Sequence, residues 1–337
     1  MINCKERGCD MWSYSNCQVQ GRGHIKKKVP CQDKTKTVFE NGTYVIALAD
    51  GAGSAKLSHY GADCVVESTT ELFTENFDKL YSNPDGRKVK IKIMEKVLAD
   101  IKAKADELEC TSKDLASTML AVAVNGDRFI IVHIGDGVVG YLDDSELKIA
   151  SSPSNGEHAN ETYFVTSKDA INTMKLFKGN IKNIAGFILM SDGTEQSLYN
   201  KKNNSLNQVV IKLMQRNILL DKNVMCKQLE STFKNIIITR TYDDCSVALL
   251  CREYGALHSL SKLNIAEKYE LYGVKTCDKN AVKRVNRYDL IMKLLKQPSS
   301  CKVISNKIHL KPKYTKNHLE RLCGLGLVKY ENGLYHL

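Results

Sequence analysis

Hydrophobic and polar positions divide the chain into short apolar runs and long amphipathic ones. Tyr44–Ala49 is an unbroken apolar run with β-branched members, the pattern of a strand buried on both faces. Thr37–Phe39 leads into it through the Asn41-Gly42 turn, which predicts a hairpin. Thr118–Val124 and Arg128–Ile134, joined by Asn125-Gly126-Asp127, predict a second hairpin. Met11–Gln20, Val138–Leu142, Leu147–Ala150, Phe187–Met190 and Cys245–Cys251 complete the predicted strands. Helical spacing governs Leu57–Tyr81, Val89–Leu108, Leu206–Gln215 and Val224–Asn235. Gly and Pro make Gly21–Asp33 a loop, and Ser151–Lys182 is polar and irregular. Strands and helices intermixed in this way predict an α/β (α+β) body.

The last 84 residues read differently. Ser261–Tyr272 predicts a linking helix, and Arg287–Leu295, Cys301–Ile308 and Tyr314–Cys323 three more helices. Gly324–Tyr330 and Leu334–Leu337, around Asn332-Gly333, then predict a hairpin. Charge separates the same two regions. From Tyr254 to Leu337 there are 16 Lys+Arg against 6 Asp+Glu, a net of +10 out of +11 for the chain. The boundaries that follow are 1–253 for the body, 254–285 for a linker with a helix, and 286–337 for a small basic domain.

Candidate chemistry sits where strands end. Asp50 (ADGAG), Asp136 (IGDG), Asp192 (SDG) and Asp243 with Asp244 (YDDCS) each stand at a strand terminus. Strand ends gather at one rim of a sheet, and clustered carboxylates repel unless a cation neutralises them. Oxygen donors without nearby His or Cys favour Mg²⁺ or Mn²⁺ over zinc. Two such ions would acidify a bridging water and stabilise in-line displacement at phosphorus. The twelve cysteines show no CxxC spacing, which suits reduced thiols acting as small hydrophobes. No apolar run is long enough to span a membrane and Met1–Asp10 has no signal-like apolar core, so the expected location is cytoplasmic. His133, in mid-strand, reads as a hydrogen-bonded core histidine, and Lys26–Lys28 as a solvated run.

Motifs in order, GRGHIKKKVPCQD, DGAGSA, ASTMLAVAV, VHIGDG, NGEHANETYF, SDGTEQ and DDCSVALL, resemble the metal-dependent Ser/Thr protein phosphatases of type 2C, in particular their compact bacterial branch. The resemblance covers about Gly21 to Cys251 and lies in the ordered series. It implies a four-layer α/β/β/α sandwich of two mainly antiparallel sheets, and hydrolysis of phosphoserine and phosphothreonine in proteins. It further implies two Mn²⁺ or Mg²⁺ ions, with a weaker third. By motif, Asp50 would bridge both metals and the Gly51 carbonyl would bind the second. Asp192 and Asp243 would ligate the first, and Asp136 would serve the third site with Asp192. Asp33 would hold metal-bound water. His24 or Arg22 would position the phosphate, and His24 would also donate a proton to the leaving oxygen. The chain departs from the pattern at Gln32 (usually Glu), Gly137 (usually Ser) and Asp244 (usually Asn), where the extra charge would either strengthen metal binding or be solvated. It also has no Arg directly before Gln32-Asp33.

The C-terminal helices and hairpin resemble a winged helix-turn-helix, with Lys313, Lys316, Asn317 and Arg321 placed for nucleic acid. Protein contact is the equal alternative. The expected partners are a phosphoprotein substrate, that of a partner Ser/Thr kinase, and DNA or protein at the C-terminal domain, with no membrane. The competing reading is a DNA-binding regulator whose phosphatase-like body senses without turnover.

Overall fold

The computed structural model describes residues 12–144, 146–153, 162–252 and 260–337. Two five-stranded antiparallel sheets form the body. One runs β2 (Asp33–Glu40), β3 (Thr43–Asp50), β4 (Met119–Asn125), β5 (Arg128–Ile134) and β8 (Lys175–Asn180), in that order across the sheet. The other runs β1 (Trp12–Val19), β12 (Cys245–Arg252), β9 (Ile184–Met190), β6 (Val138–Asp143) and β7 (Glu146–Ser151).

The unbroken apolar run in β3 has a direct cause. Val45, Ala47 and Ala49 face a core with the long helices α2 (Ser58–Ser82) and α3 (Gly86–Glu107). The alternate residues Ile46 and Leu48 face the other sheet, against Trp12, Val139, Leu189, Ala248 and Leu250. Side chains of a strand point alternately to the two faces, so covering both makes every position apolar. On the far side of the second sheet, α7 (Lys222–Asn235) brings Cys226 and Glu230 near the buried Cys17 of β1. Helices, sheet, sheet and helices give the four-layer α+β sandwich.

Two expectations change, and the unassigned stretch 151–182 proves to hold a short helix and a strand. Residues 22–27 form a short helix, α1, where Gly and Pro predicted only loop; it stops at Lys28 in the left-handed conformation (φ 58°). Within the irregular stretch lie α4 (Ala170–Thr173) and the edge strand β8, whose lysines conceal its alternation. Leu206 belongs to a two-residue pairing of β10 (Tyr199–Asn200) with β11 (Ser205–Leu206), and α6 (Val209–Leu219) starts after it. Most of the NGEHANETYF motif falls outside the described residues.

The chain divides into two compact units, Met1–Met214 with Cys226–Arg252, and Gln215–Met225 with Glu253–Leu337. The second contains α8 (Ile265–Leu271), α9 (Ala281–Leu294), α10 (Cys301–Lys307), α11 (Pro312–Gly324) and the hairpin β13–β14 (Lys329–Glu331, Leu334–His336). Helix α9 starts six residues earlier than its apolar spacing indicated. Ser299 pairs with Tyr335, adding a third short strand segment to the hairpin. The core of this unit holds Tyr272, Tyr288, Ile291, Leu319 and Leu322, with Asp289 accepting from Tyr272 Oη (2.7 Å) and paired with Lys268 (2.6 Å).

Candidate active site

The site is built on strand ends. Asp33 opens β2 directly opposite Asp50, which closes β3. The Asp50 main chain is fixed by Thr118, whose Oγ1 accepts from Asp50 N and whose N donates to Asp50 O, both at 2.8 Å. Gly51 follows where no side chain fits, since a Cβ there would lie 2.8 Å from Ser58. Asp192 begins the helix α5 (Asp192–Leu198) at the end of β9. Gly193 lets that turn touch the last motif, a Cβ there falling 2.0 Å from the Asp244 carbonyl oxygen. Asp136 sits between β5 and β6, accepting from Thr162 Oγ1 at 2.6 Å. Asp243 is exposed, just before β12.

Asp33, Asp50, Asp136, Asp192 and Asp243 are thereby brought together, each acting electrostatically on one or more of the others. Burial pushes the Asp33 carboxyl up to about 8, the Asp244 and Asp192 charges adding and the nearby Ser191 and Ser246 hydroxyls only partly opposing. Asp50 is held well above the ordinary carboxylate range by burial and then by Asp33, Asp192, Asp243 and Asp136. Asp192 rises to about 6 through burial and the charges of Asp243 and Asp136. Both oxygens of Asp33 and Oδ1 of Asp192 are buried without a well-aligned hydrogen bond. Such groups are costly unless a cation or proton compensates them. Among the described residues no three His, Cys, Asp or Glu side chains converge on one point. A Mg²⁺-like ion keeps several waters, so its carboxylate ligands need not close on one point before it binds. The donor set and the uncompensated buried oxygens fit hard divalent cations.

The first motif is fastened to the last. Arg22 Nε donates to the Thr241 carbonyl (3.1 Å) and its guanidinium lies 4.6 Å from the centre of the Tyr242 ring. Gly23 N donates to Tyr242 O at 2.8 Å. Asp244 is not solvated, and its charge acts on Asp33. It is 2% exposed, accepting from Gly21 N (2.7 Å) and Gln32 N (2.6 Å), with His24 Nδ1 2.9 Å from its Oδ1. Gln32 Nε2 donates to Ser58 Oγ at 2.7 Å, so the residue usually acidic here is a structural link.

Sequence reasoning assigned no role to Thr118, Ser191 or Ser246. Ser246 carried a signal, a lone hydroxyl inside the apolar run of β12. His133 is fully buried with Nδ1 2.7 Å from Ser151 Oγ, and burial lowers it to about 3. Lys26, Lys27 and Lys28 are exposed. A cavity of about 910 Å³ beside Asp192 is lined by Glu195, Tyr199, Lys201 and Asn207 among others; Glu195, 3% exposed, pairs with Lys201 at 2.8 Å. In the second unit Lys313, Lys316 and Asn317 are exposed on α11, but Arg321 is engaged, its Nη2 donating to Gly273 O at 2.5 Å.

Comparison with known proteins gives the family. A profile described as Protein phosphatase 2C matches residues 20–234. Serine/threonine-protein phosphatase 3 of Escherichia coli (strain K12) is 27% identical over 209 residues, 58% of this chain and 78% of that protein. A solved bacterial serine phosphatase variant is 12% identical, covering 72% of this chain and 98% of the other with a TM-score of 0.50. The catalytic domain of the phosphatase PstP, solved in complex with two manganese ions, is 18% identical over 72% of this chain and 98% of its own, with a TM-score of 0.49. At 12% identity the bacterial serine phosphatase speaks for the fold alone. Phosphatases of the matched family use Mn²⁺ or Mg²⁺. The chain belongs to the protein phosphatase 2C family and is a serine/threonine phosphatase.

Proposed function

We propose that the protein hydrolyses phosphoserine and phosphothreonine in proteins at the carboxylate rim formed by Asp33, Asp50, Asp136, Asp192 and Asp243. Asp50 would be shared between two metals with the Gly51 carbonyl on the second, Asp192 and Asp243 would hold the first, and Asp136 with Asp192 would offer a third position. When bound, Mn²⁺ or Mg²⁺ supplies an acidified water and neutralises the phosphoryl charge. Asp33, fully buried in this rim, would hold and orient water beside the Ser191 and Ser246 hydroxyls. His24 is the better phosphate-facing residue of the two candidates, because the Arg22 guanidinium is committed to Thr241 and Tyr242. The observation that carries this reading is the set of buried carboxylate oxygens on Asp33 and Asp192 that lack a well-aligned hydrogen bond, so that both carboxyls stay raised. The test is Mn²⁺-dependent hydrolysis of p-nitrophenyl phosphate by wild type and Asp192→Ala. Wild-type turnover that Asp192→Ala abolishes supports the reading, and absence of metal-dependent turnover sinks it. A sensor without turnover would have no use for so costly a cluster.

For the second unit we propose a winged helix that targets or regulates the phosphatase. Three helices, the hairpin and the Ser299–Tyr335 pairing support that architecture, and its net charge of +10 supports an anionic partner, DNA or an acidic protein surface. Titrating the full chain with duplex DNA across salt concentrations tests it; affinity insensitive to salt removes nucleic acid.

A further inference from the structure

We infer that the cavity beside Asp192 is a subsite for an arginine side chain of the phosphoprotein, with Glu195 as the residue that selects it. The inference rests on the proposed phosphatase site and deepens it, by naming the substrates that site prefers. The cavity, about 910 Å³, is lined by Asp192, Glu195 and Ser197 of α5 and by Lys201 from the loop between β10 and β11. A space of this size, next to a proposed metal ligand, is large enough to take a substrate side chain.

Two polar atoms of its lining are left over. Glu195 is 3% exposed, and its Oε1 is buried with no hydrogen-bond partner. Ser197 Oγ is in the same condition. A buried carboxylate oxygen without a donor is costly, so a donor that arrives with a ligand is strongly favoured there. The other oxygen, Oε2, is met by Lys201, whose ammonium lies 2.8 Å away on a side chain that is 67% exposed. An exposed lysine holds such a contact weakly, because solvent screens it and its long stem must be ordered. Lys201 thus covers the carboxylate without satisfying it.

A planar cation with several donors completes this lining. A guanidinium carries five N–H donors and no acceptor, and it can bind both oxygens of a carboxylate at once. Entering the cavity, it would displace the Lys201 ammonium from Oε2, donate to Oε1 as well, and keep donors for Ser197 Oγ. A substrate lysine repeats what Lys201 already offers. An acidic side chain would meet Glu195 as a like charge. The place of the arginine in the substrate follows from α5. Asp192 and Glu195 stand three residues apart on this helix, which separates their Cβ atoms by about 5–6 Å. An extended chain advances about 3.3 Å per residue, so the arginine stands within about three residues of the phosphorylated one.

The experiment measures kcat/KM at saturating Mn²⁺ for phosphothreonine peptides with Arg, Lys, Ala or Asp at each position within about three residues of the phosphothreonine. At one position or more, wild type should favour Arg over Ala by about 10- to 100-fold. Lys in the same place should gain about threefold or less over Ala. Glu195→Gln keeps the shape and removes the charge, and should bring the Arg-to-Ala ratio to within about threefold of unity. Lys201→Ala should raise the ratio, because the competing ammonium is gone. A ratio of two peptides cancels any loss that falls on catalysis itself. Wild type without an Arg preference, or a preference that survives Glu195→Gln, overturns the inference. A preference for Asp overturns it too, and assigns the cavity to Lys201 and Lys202. If Glu195→Gln fails to fold, Lys201→Ala decides, and an unchanged ratio there counts against the inference. If wild type hydrolyses no peptide, the phosphatase reading fails, and binding of fluorescently labelled peptides to the metal-free protein decides this one. Tighter binding of the Arg peptide than the Ala peptide, lost in Glu195→Gln, supports it, and equal binding overturns it.

Discussion

The two units carry charge in opposite ways. In the body, carboxylates are drawn into a rim where burial and mutual repulsion raise Asp33, Asp50 and Asp192. In the C-terminal unit, lysines such as Lys313 and Lys316 stand in solvent on one helix. A buried, unpaired carboxylate costs several kcal/mol, so its presence calls for a compensating ligand. An exposed lysine costs nothing and is screened within about 8 Å at physiological salt, so it indicates only the sign of a partner. Charge therefore supports a chemical assignment in one unit and only a preference in the other.

The strongest way to break this contrast is to remove a rim carboxylate. Asp192→Ala should lower Mn²⁺-dependent turnover by at least about 10³-fold, as loss of charge stabilisation in the transition state does. The metal-free variant should melt no lower than wild type, because one repelling charge is gone. Saturating Mn²⁺ at about 100 times Kd should stabilise wild type by about 2.7 kcal/mol and the variant by less. A variant that melts lower without metal would show Asp192 to be a structural residue.

Gly193→Ala should come next. The added Cβ, 2.0 Å from the Asp244 carbonyl oxygen, would push Asp192 from Asp243 and the last motif from the first. We expect a destabilisation of about 1–3 kcal/mol by denaturant midpoint and a loss of turnover larger than stability explains. Normal turnover would mean that the two motifs need not be in register.

His133 gives a control inside the body but off the rim. Its folded value of about 3 lies below the unfolded 6.5, so the unfolded chain binds the extra proton between those pH values. Stability should therefore fall as pH drops below 6.5, by up to about 1.4 kcal/mol per unit from this group. Replacing it by Gln should flatten that part of the profile, measured as denaturant midpoint against pH. An unchanged slope would assign the acid sensitivity elsewhere.

What the sequence disclosed follows the same division. The β3 and β9 strands were legible because both faces of each are buried, and Asp50 and Asp192 were legible because strand termini in a sandwich meet at one rim. The helix α1 was not, since Gly21 and Gly23 at its start and Pro30 beyond its end mimic a loop, and its partners Tyr242 and Asp244 lie more than two hundred residues away. For the same reason the sequence leaves Asp244 open between metal binding and solvation, and its burial removes the second. Adjacent aspartates look alike in a sequence, and only the fold separates the exposed Asp243 from the buried clamp beside it. Arg321 shows the reverse error, an apparent nucleic-acid contact spent on the carbonyls of Tyr272 and Gly273.

The smallest expected effect belongs to the exposed charges. If α11 of the full chain meets nucleic acid, Lys313→Ala and Lys316→Ala should each weaken binding uniformly across sequences and reduce the salt slope by about 1. Stability should stay within about 0.5 kcal/mol, because both lysines are exposed and the Lys316 pair with Glu320, at 3.8 Å, lies in solvent. Arg321→Ala should behave differently. Its guanidinium holds the end of α8 by two carbonyls, so it should lower the melting temperature of this unit while leaving the salt slope where it was. A salt slope that falls with Arg321→Ala and not with the lysines would move the anionic partner from Lys313 and Lys316 to the Arg321 end of the helix, and would show that its bonds to the two carbonyls do not keep it from that partner.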